Sequence, residues 1–283
     1  MKLELRQVSF SYRRFQQEFP ALHDVDLCIG AGERIVMVGA NGSGKSTLAL
    51  LLAGLYRPTA GQVIADGLSE PGETAFRHVG LVFQYPEQQL FAETVAEEVG
   101  FGPKNQGLDE KTVQHRVRQA LQAVGLDAGE LSGRSPFSLS GGERRRVAIA
   151  GILALHPRLL ILDEPGAGLD VQGRAWMQDL VRQLHAAGHT VIWITHDMAE
   201  AAALAERLIV LHQGRVLLDG PPEAVLAQEA VLRSASLALP DGAALVQELY
   251  RRGADLSRQA LTTEQATAAI DDWIRAGRPL RGR

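Results

Sequence analysis

Residues 39–47 read Gly-Ala-Asn-Gly-Ser-Gly-Lys-Ser-Thr, which sets Gly39, Gly44, Lys45 and Ser46 at the GxxxxGK[ST] spacing of a loop built to hold phosphate. Glycines let successive backbone N–H groups converge on phosphate oxygens, and a helix starting at the end of the loop adds the positive end of its dipole. Lys45 can reach the β- and γ-phosphates of a nucleoside triphosphate, and Ser46 is placed to ligate magnesium. The nucleotide-binding candidates here are Gly39, Asn41, Gly42, Ser43, Gly44, Lys45, Ser46 and Thr47. A second feature, Leu-Leu-Ile-Leu-Asp-Glu at 159–164, is an apolar run ending in two carboxylates. Charge at the tip of a buried strand is costly unless something pairs with it, and magnesium with a nucleophilic water would meet that need. Asp163 can orient the metal while Glu164 polarises the water that attacks the γ-phosphate. Read alone, the pair also allows a lesser reading as a cap for the next helix. A third feature is Leu139-Ser140-Gly141-Gly142-Glu143, where two glycines at a helix start leave N–H groups open for a second anion. By itself it is also an ordinary helix cap.

These residues need particular elements around them. Residues 34–38 form a β-branched apolar run and 47–55 a helical pattern, so a strand and a helix flank the phosphate loop. Short apolar runs at 159–162, 190–194 and 208–211 lack strict alternation, as expected of strands buried on both faces in a parallel sheet. A helix at 176–187 joins the first two in a β-α-β crossover. Alternation at 3–5, 8–12 and 22–29 predicts an antiparallel sheet near the start, with further strands at 63–65 and 79–83. The region after 90 is mainly helical, with Asp109 capping a helix over 109–124 and another helix at 143–155. Pro221-Pro222 marks a boundary, beyond which Asp241 caps a helix through Arg251 and Thr262-x-x-Gln265 forms a capping box.

The 283 residues suffice for one sizeable core with an appended small domain, or for two modest domains, and a net charge of −4 gives no general pull toward nucleic acid or anionic lipid. The single cysteine, Cys28, lies among Val25, Leu27 and Ile29 and reads as a packed strand residue, so no disulfide forms within the chain. The first ten residues lack the features of a signal peptide, and no run approaches the ~18 apolar residues needed to span a bilayer. Work at a membrane would require another chain to hold this one there.

The phosphate loop, Gln84 after a strand, LSGGE, LILDEP, Gly168-Leu169-Asp170 and Thr195-His196-Asp197 together resemble the ordered motifs of ATP-binding cassette (ABC) ATPases over residues 1 to about 220. The resemblance implies an α/β P-loop NTPase fold with a RecA-like, mostly parallel sheet and an antiparallel β subdomain. It also implies a helical subdomain at about 91–150, while the pattern beyond Pro221-Pro222 reads as a small helical accessory or dimerisation domain at 221–283. ATP and Mg2+ follow as ligands. Gln84 would contact the metal and the membrane partner, Asp170 would sit at the subunit contact, His196 would bind the γ-phosphate and act with Glu164 in catalysis, and Tyr12 would stack on adenine. Outside the series, Gln84 reads as a strand-end cap, His196 as a satisfied histidine, and Tyr12 as a strand surface residue with Phe10 and Phe19 as rivals. Because each motif occurs once, a second ATPase subunit is implied, identical or related, with Ser140, Gly141 and Gly142 of one closing over ATP on the other.

The stretch from Phe83 through Pro86, Gln88, Leu90 and Phe91 to Phe101-Gly102-Pro103 is similar to the energy-coupling factor (ECF) transporter ATPases, nearer the second of their two paired subunits. That resemblance implies a transmembrane scaffold subunit docked in a groove, a substrate-binding membrane subunit for a vitamin or transition-metal ion, and a peripheral position on the cytoplasmic face of the cell membrane. Leu90, Phe91, Val95, Val99 and Phe101 beside Glu87, Glu93, Glu97 and Glu98 would suit a partner helix carrying arginine, or form a solvated helix face with a packed underside. Two departures from the family pattern are Gly166, where threonine is usual, and Glu143, where glutamine is commoner. The ATPase of another ABC importer or exporter is the alternative. A nucleic-acid-associated ABC ATPase would bring a long coiled coil or two cassettes, and a small-molecule kinase would leave LSGGE unexplained, so no nucleic acid partner is expected.

Overall fold

The computed structural model describes residues 1–15, 17–65, 76–256 and 260–276. They form two compact units. One comprises Met1–Glu33 and Ser46–Ile194, the other Arg34–Lys45 and the chain from Thr195 on.

The first unit begins with an antiparallel sheet in the order β2-β1-β4, from β1 (Leu3–Arg14), β2 (Gln17–Ile29) and β4 (Ala60–Ala65). Leu3 and Leu5 face the core, then Val8 and Phe10, because a register shift between Leu5 and Val8 moves the inward set by one residue. Gln7 takes up that shift at φ 47°. On β2 the inward residues are Leu22, Val25, Leu27 and Ile29. Cys28 was expected to pack, but period-two alternation turns it to the other face, where it is exposed.

Three parallel strands follow in the order β5 (Val79–Val82), β6 (Leu159–Asp163), β7 (Thr190–Thr195). Leu159, Leu160, Ile161 and Leu162 are all at most 1% exposed, so the missing alternation in the sequence does reflect burial on both faces. Helix α6 (Val171–Ala186) carries the crossover from β6 to β7 and starts five residues before the predicted one. The helical region contains α2 (Val95–Asn105), α3 (Glu110–Ala123), α4 (Ala128–Leu131) and α5 (Gly141–Leu153), with α2, α3 and α5 packed on one another. Asp109 caps α3 by accepting from Thr112 N at 3.0 Å, as its position suggested.

In the second unit β3 (Arg34–Val38) pairs in parallel with β8 (Arg207–His212), and β9 (Arg215–Gly220) returns antiparallel on β8. Strand β9 escaped the sequence reading because its side chains are only half-buried or exposed. The available signal was Gln213-Gly214, a two-residue hairpin turn with both φ positive, at 47° and 74°. Arg207 then clasps Asp219 through two hydrogen bonds of 2.7 Å. Helix α7 (Met198–Leu204) and the short helices α8 (Pro222–Leu226) and α9 (Glu229–Ser234) precede α10 (Asp241–Arg251) and α11 (Thr263–Arg275). The last two share a small core of Val246, Ala254, Leu256, Ala260 and Ala266 with Ile270 and Trp273 against it. Thr262 and Gln265 form the expected capping box. Asp241 is the first helical residue instead of the cap, because Pro240 takes the cap position at φ −54°. Its carboxylate there still faces the helix dipole favourably.

Because β6 is enclosed on both sides, Ile161→Ala should lower stability by about 2–5 kcal/mol in urea unfolding, whereas Cys28→Ser should change it by less than about 0.5 kcal/mol. A loss of under about 1 kcal/mol at Ile161 would contradict the burial assigned to this strand.

Candidate functional site

The phosphate loop leaves β3 at Val38 and turns at once. A Cβ at Gly39 would collide with the Leu211 carbonyl and come within 2.5 Å of Ser43 Oγ, so the chain's own backbone demands glycine there. Gly42 and Gly44 lie at φ 78° and 105°, conformations that L side chains rarely adopt. The loop is tied down by Ser43 N donating to Ala40 O at 3.1 Å and by Gly214 N donating to Ser43 O at 3.0 Å. Lys45, 6% exposed, curls back so that Nζ donates to Gly39 O at 2.8 Å and Ala40 O at 3.1 Å. These two carbonyls fix the ammonium against the loop. Ser43 Oγ is buried without a hydrogen-bond partner among the described residues. In the same unit Asp197 caps α7 through Ala199 N and Glu200 N, and its own N–H donates to Thr195 Oγ1 at 3.0 Å. His196 is thereby held exposed on a braced turn.

In the other unit Ser46 and Thr47 continue α1 (Lys45–Leu52), and the Tyr12 hydroxyl lies 2.9 Å from Thr47 Oγ1. Of the aromatic rivals, Phe10 is only 9% exposed and offers no free ring face, whereas Tyr12 is 38% exposed. Phe19 sits opposite Tyr12 in the β1–β2 register. Tyr56, which sequence reasoning passed over, stacks on Phe10 and meets Tyr12 edge-on at 5.9 Å.

Asp163 ends β6, and Glu164 follows in the left-handed region at φ 49°, with its N–H donating to Ile194 O at 3.0 Å. Such a conformation costs a non-glycine residue roughly 1–2 kcal/mol and persists only where the surroundings enforce it. Gln84 Nε2 donates to Glu164 Oε2 at 3.2 Å, so residues 80 positions apart meet at the strand tips. Among the described residues no group of three or more His, Cys, Asp or Glu could hold a metal by itself. Ser46, Gln84 and Asp163 offer hydroxyl, amide and carboxylate oxygens, which fit an ion that keeps waters and phosphate oxygens in its shell.

The signature segment is built as a cap. Ser140 Oγ accepts from Glu143 N at 3.3 Å, while Glu143 Oε2 accepts from Ser140 N at 2.9 Å and from Ser140 Oγ at 2.7 Å. These bonds, the side-chain one first, hold the Glu143 carboxyl below the usual carboxylate range. The S-x-x-E spacing carried this signal in the sequence. A Cβ at Gly141 or Gly142 would meet nothing within 4 Å. Asp170 likewise caps α6, accepting from Gly173 N at 2.7 Å.

A groove of about 320 Å³ lies beside the 3-10 turn Pro86–Gln89, lined by Phe83, Leu90, Phe91, Phe101 and Leu155 among others. Phe91 and Phe101 are 60% and 48% exposed and meet edge to face at 4.9 Å. Two of the four glutamates expected on an acidic rim are engaged locally. Glu97 closes the Thr94 capping box and Glu98 accepts from Phe91 N and Ala92 N, so both carboxylates are fixed in place by backbone donors.

With this geometry in hand, comparison with known proteins gives consistent results. The ABC transporter family model matches residues 22–167. The energy-coupling factor transporter ATP-binding protein EcfA2 of Symbiobacterium thermophilum is 48% identical over 255 residues, 88% of either chain. The protein of that name from Clostridium perfringens is 41% identical over 90% of this chain and 92% of its own length. Among solved structures, cbiO1 of Clostridium perfringens, described as part of the ABC transporter complex cbiONQ, aligns at TM-score 0.70 and 33% identity over 83% of this chain and 94% of that one. A dimeric ATP-binding cassette bound to ADP and Pi aligns at TM-score 0.68 and 29% identity, covering 78% of this chain and 98% of the other. A phosphate loop closed by its own backbone, a carboxylate braced at a buried strand tip and relatives matched over nearly their full length lead to one assignment: the chain belongs to the ABC transporter family, among its energy-coupling factor ATP-binding proteins.

Proposed function

We propose that this chain hydrolyses ATP, with Mg2+, as the ATPase subunit of an energy-coupling factor transporter that takes up a vitamin or transition-metal ion across the cytoplasmic membrane. The observation that carries the reading is the 3.2 Å bond from Gln84 to Glu164. It joins a segment bordering the apolar groove to the carboxylate suited to polarise water, so what docks in the groove can act on hydrolysis. In this reading Gly39, Asn41, Gly42, Ser43, Gly44, Lys45, Ser46 and Thr47 hold the phosphates, Tyr12 takes the adenine, and His196 contacts the γ-phosphate. Ser46, Gln84 and Asp163 would hold magnesium, which neutralises charge on the β- and γ-phosphates when bound. Glu164 accepts the proton of the attacking water.

The two glycine motifs support a paired assembly by their contrast. Gly39 is required by contacts inside its own chain, whereas Gly141 and Gly142 face open space, so any need for glycine there comes from outside. A partner's triphosphate at that helix start, with Asp170 at the contact, accounts for it. The pair is completed by a second copy or a related subunit, and residues 221–283 form the accessory domain that reinforces it. Exposed Phe91 and Phe101 in the groove suit a helix of a transmembrane scaffold subunit, which would also bring the substrate-binding subunit. No helix among the described residues is long and apolar enough to cross a membrane. Docked on that scaffold, the chain would sit peripherally on the cytoplasmic face.

Glu164→Gln should reduce kcat by about 10²–10⁴-fold while ATP still binds, and the ATP-bound pair should accumulate in size-exclusion chromatography. Ordinary turnover would remove Glu164 from its role. Gly141→Ala should leave the melting temperature within about 4 °C yet abolish ATP-driven pairing and hydrolysis, since alanine is a better helix former than glycine. Normal pairing in that variant would refute the shared site.

A further inference from the structure

Arg145 lies in the second turn of α5, within a run of three arginines at 144–146. Unlike a surface arginine it is only 4% exposed. Its guanidinium donates to three backbone carbonyls from two separate segments: Nη2 to Gln84 O at 3.2 Å and Pro165 O at 2.6 Å, and Nη1 to Ala167 O at 3.0 Å. Burial pulls its pKa down, an effect opposed by the nearby Glu87 and Tyr85, and a guanidinium keeps its charge throughout the working pH range.

The placement of those carbonyls is what gives the contact meaning. One nitrogen, Nη2, holds the backbone of Gln84 and of the residue after Glu164, so it grips the main chain on both sides of the Gln84–Glu164 side-chain bond. Glu164 is the strained residue of this turn, and a backbone at φ 49° needs its neighbours fixed. The other nitrogen fixes Ala167, three residues before Asp170. Arg145 itself is five residues beyond Ser140 on the same rigid helix that presents Gly141 and Gly142.

We propose that Arg145 is a positioning residue for hydrolysis, a fork that locks the Gln84 segment and the Glu164–Asp170 segment to the signature helix so that the three move as one body. The inference rests on the ATPase reading above and adds a residue which that reading does not use. When the signature glycines engage a nucleotide, Arg145 transmits the shift directly to the backbone around Glu164. A lysine keeps the charge but is a single point donor on a flexible stem and cannot span three carbonyls in a plane.

The test uses the full-length chain assembled with its second ATPase subunit and membrane partners, comparing wild type, Arg145→Lys, Arg145→Gln and Gln84→Ala. Arg145→Lys should melt within about 4 °C of wild type and keep its KM for ATP within about threefold, while kcat falls about ten- to a hundredfold. In a double-mutant cycle its effect on kcat should be strongly non-additive with that of Gln84→Ala, because both act on one contact. A lysine variant with wild-type kcat, losses that simply multiply with Gln84→Ala, or unfolding of both Arg145 variants would overturn the proposal and leave Arg145 as a packing staple. Absence of ATP turnover in the wild-type complex would instead bring down the ATPase reading, so the two failures are distinguishable.

Discussion

Charge at the end of a strand that is buried on both faces dictates much of this molecule. Leu159 to Leu162 are enclosed, and the chain then places two carboxylates in succession at the strand's carboxyl end. The Glu164 carboxylate and the backbone around it are held by surrounding residues. Gln84 donates to Glu164, the Glu164 N–H is satisfied by Ile194 O, and Arg145 takes up the neighbouring carbonyls. The left-handed turn at Glu164 is tolerable only because these bonds over-determine it. A carboxylate presented in this way is directed to one place.

The two glycine-rich helix starts show how one residue type serves different ends. At Gly39 a side chain has no room, because the loop folds back on a carbonyl of β8. The signature glycines have room to spare, and their helix is instead secured by the reciprocal bonds of Ser140 and Glu143. The first loop is shaped by contacts within its own chain. The second is a capped helix start with open space at both glycines.

How much was legible in advance follows the same division. The phosphate loop, the buried parallel strands and the caps at Asp109 and Thr262 could be read because glycine spacing, apolar runs and capping boxes are local patterns. Cys28 was misjudged because alternation decides the face of a strand residue, and its neighbours on both sides were the inward ones. Strand β9 was missed since a weakly buried strand leaves little hydrophobic signal. Arg145 was invisible for a different reason. Its three acceptors lie 20 to 61 positions away along the chain, and backbone carbonyls carry no sequence label.

The replacement of the signature glutamine by Glu143 has an electrostatic consequence. An ionised carboxylate beside a helix start weakens that start as an anion site, and Glu143 is held in the ionised form by its bonds to Ser140. Arg134 and Arg146 act in the same sense, each favouring the charged carboxylate, and their positive charge offsets its field. Arg146 is in turn held over the Trp176 ring at 4.7 Å, a cation–π contact that keeps its charge on this side of the helix. The departure therefore changes the charge of one residue while cations around it restore the local balance. The cap at the helix start is intact.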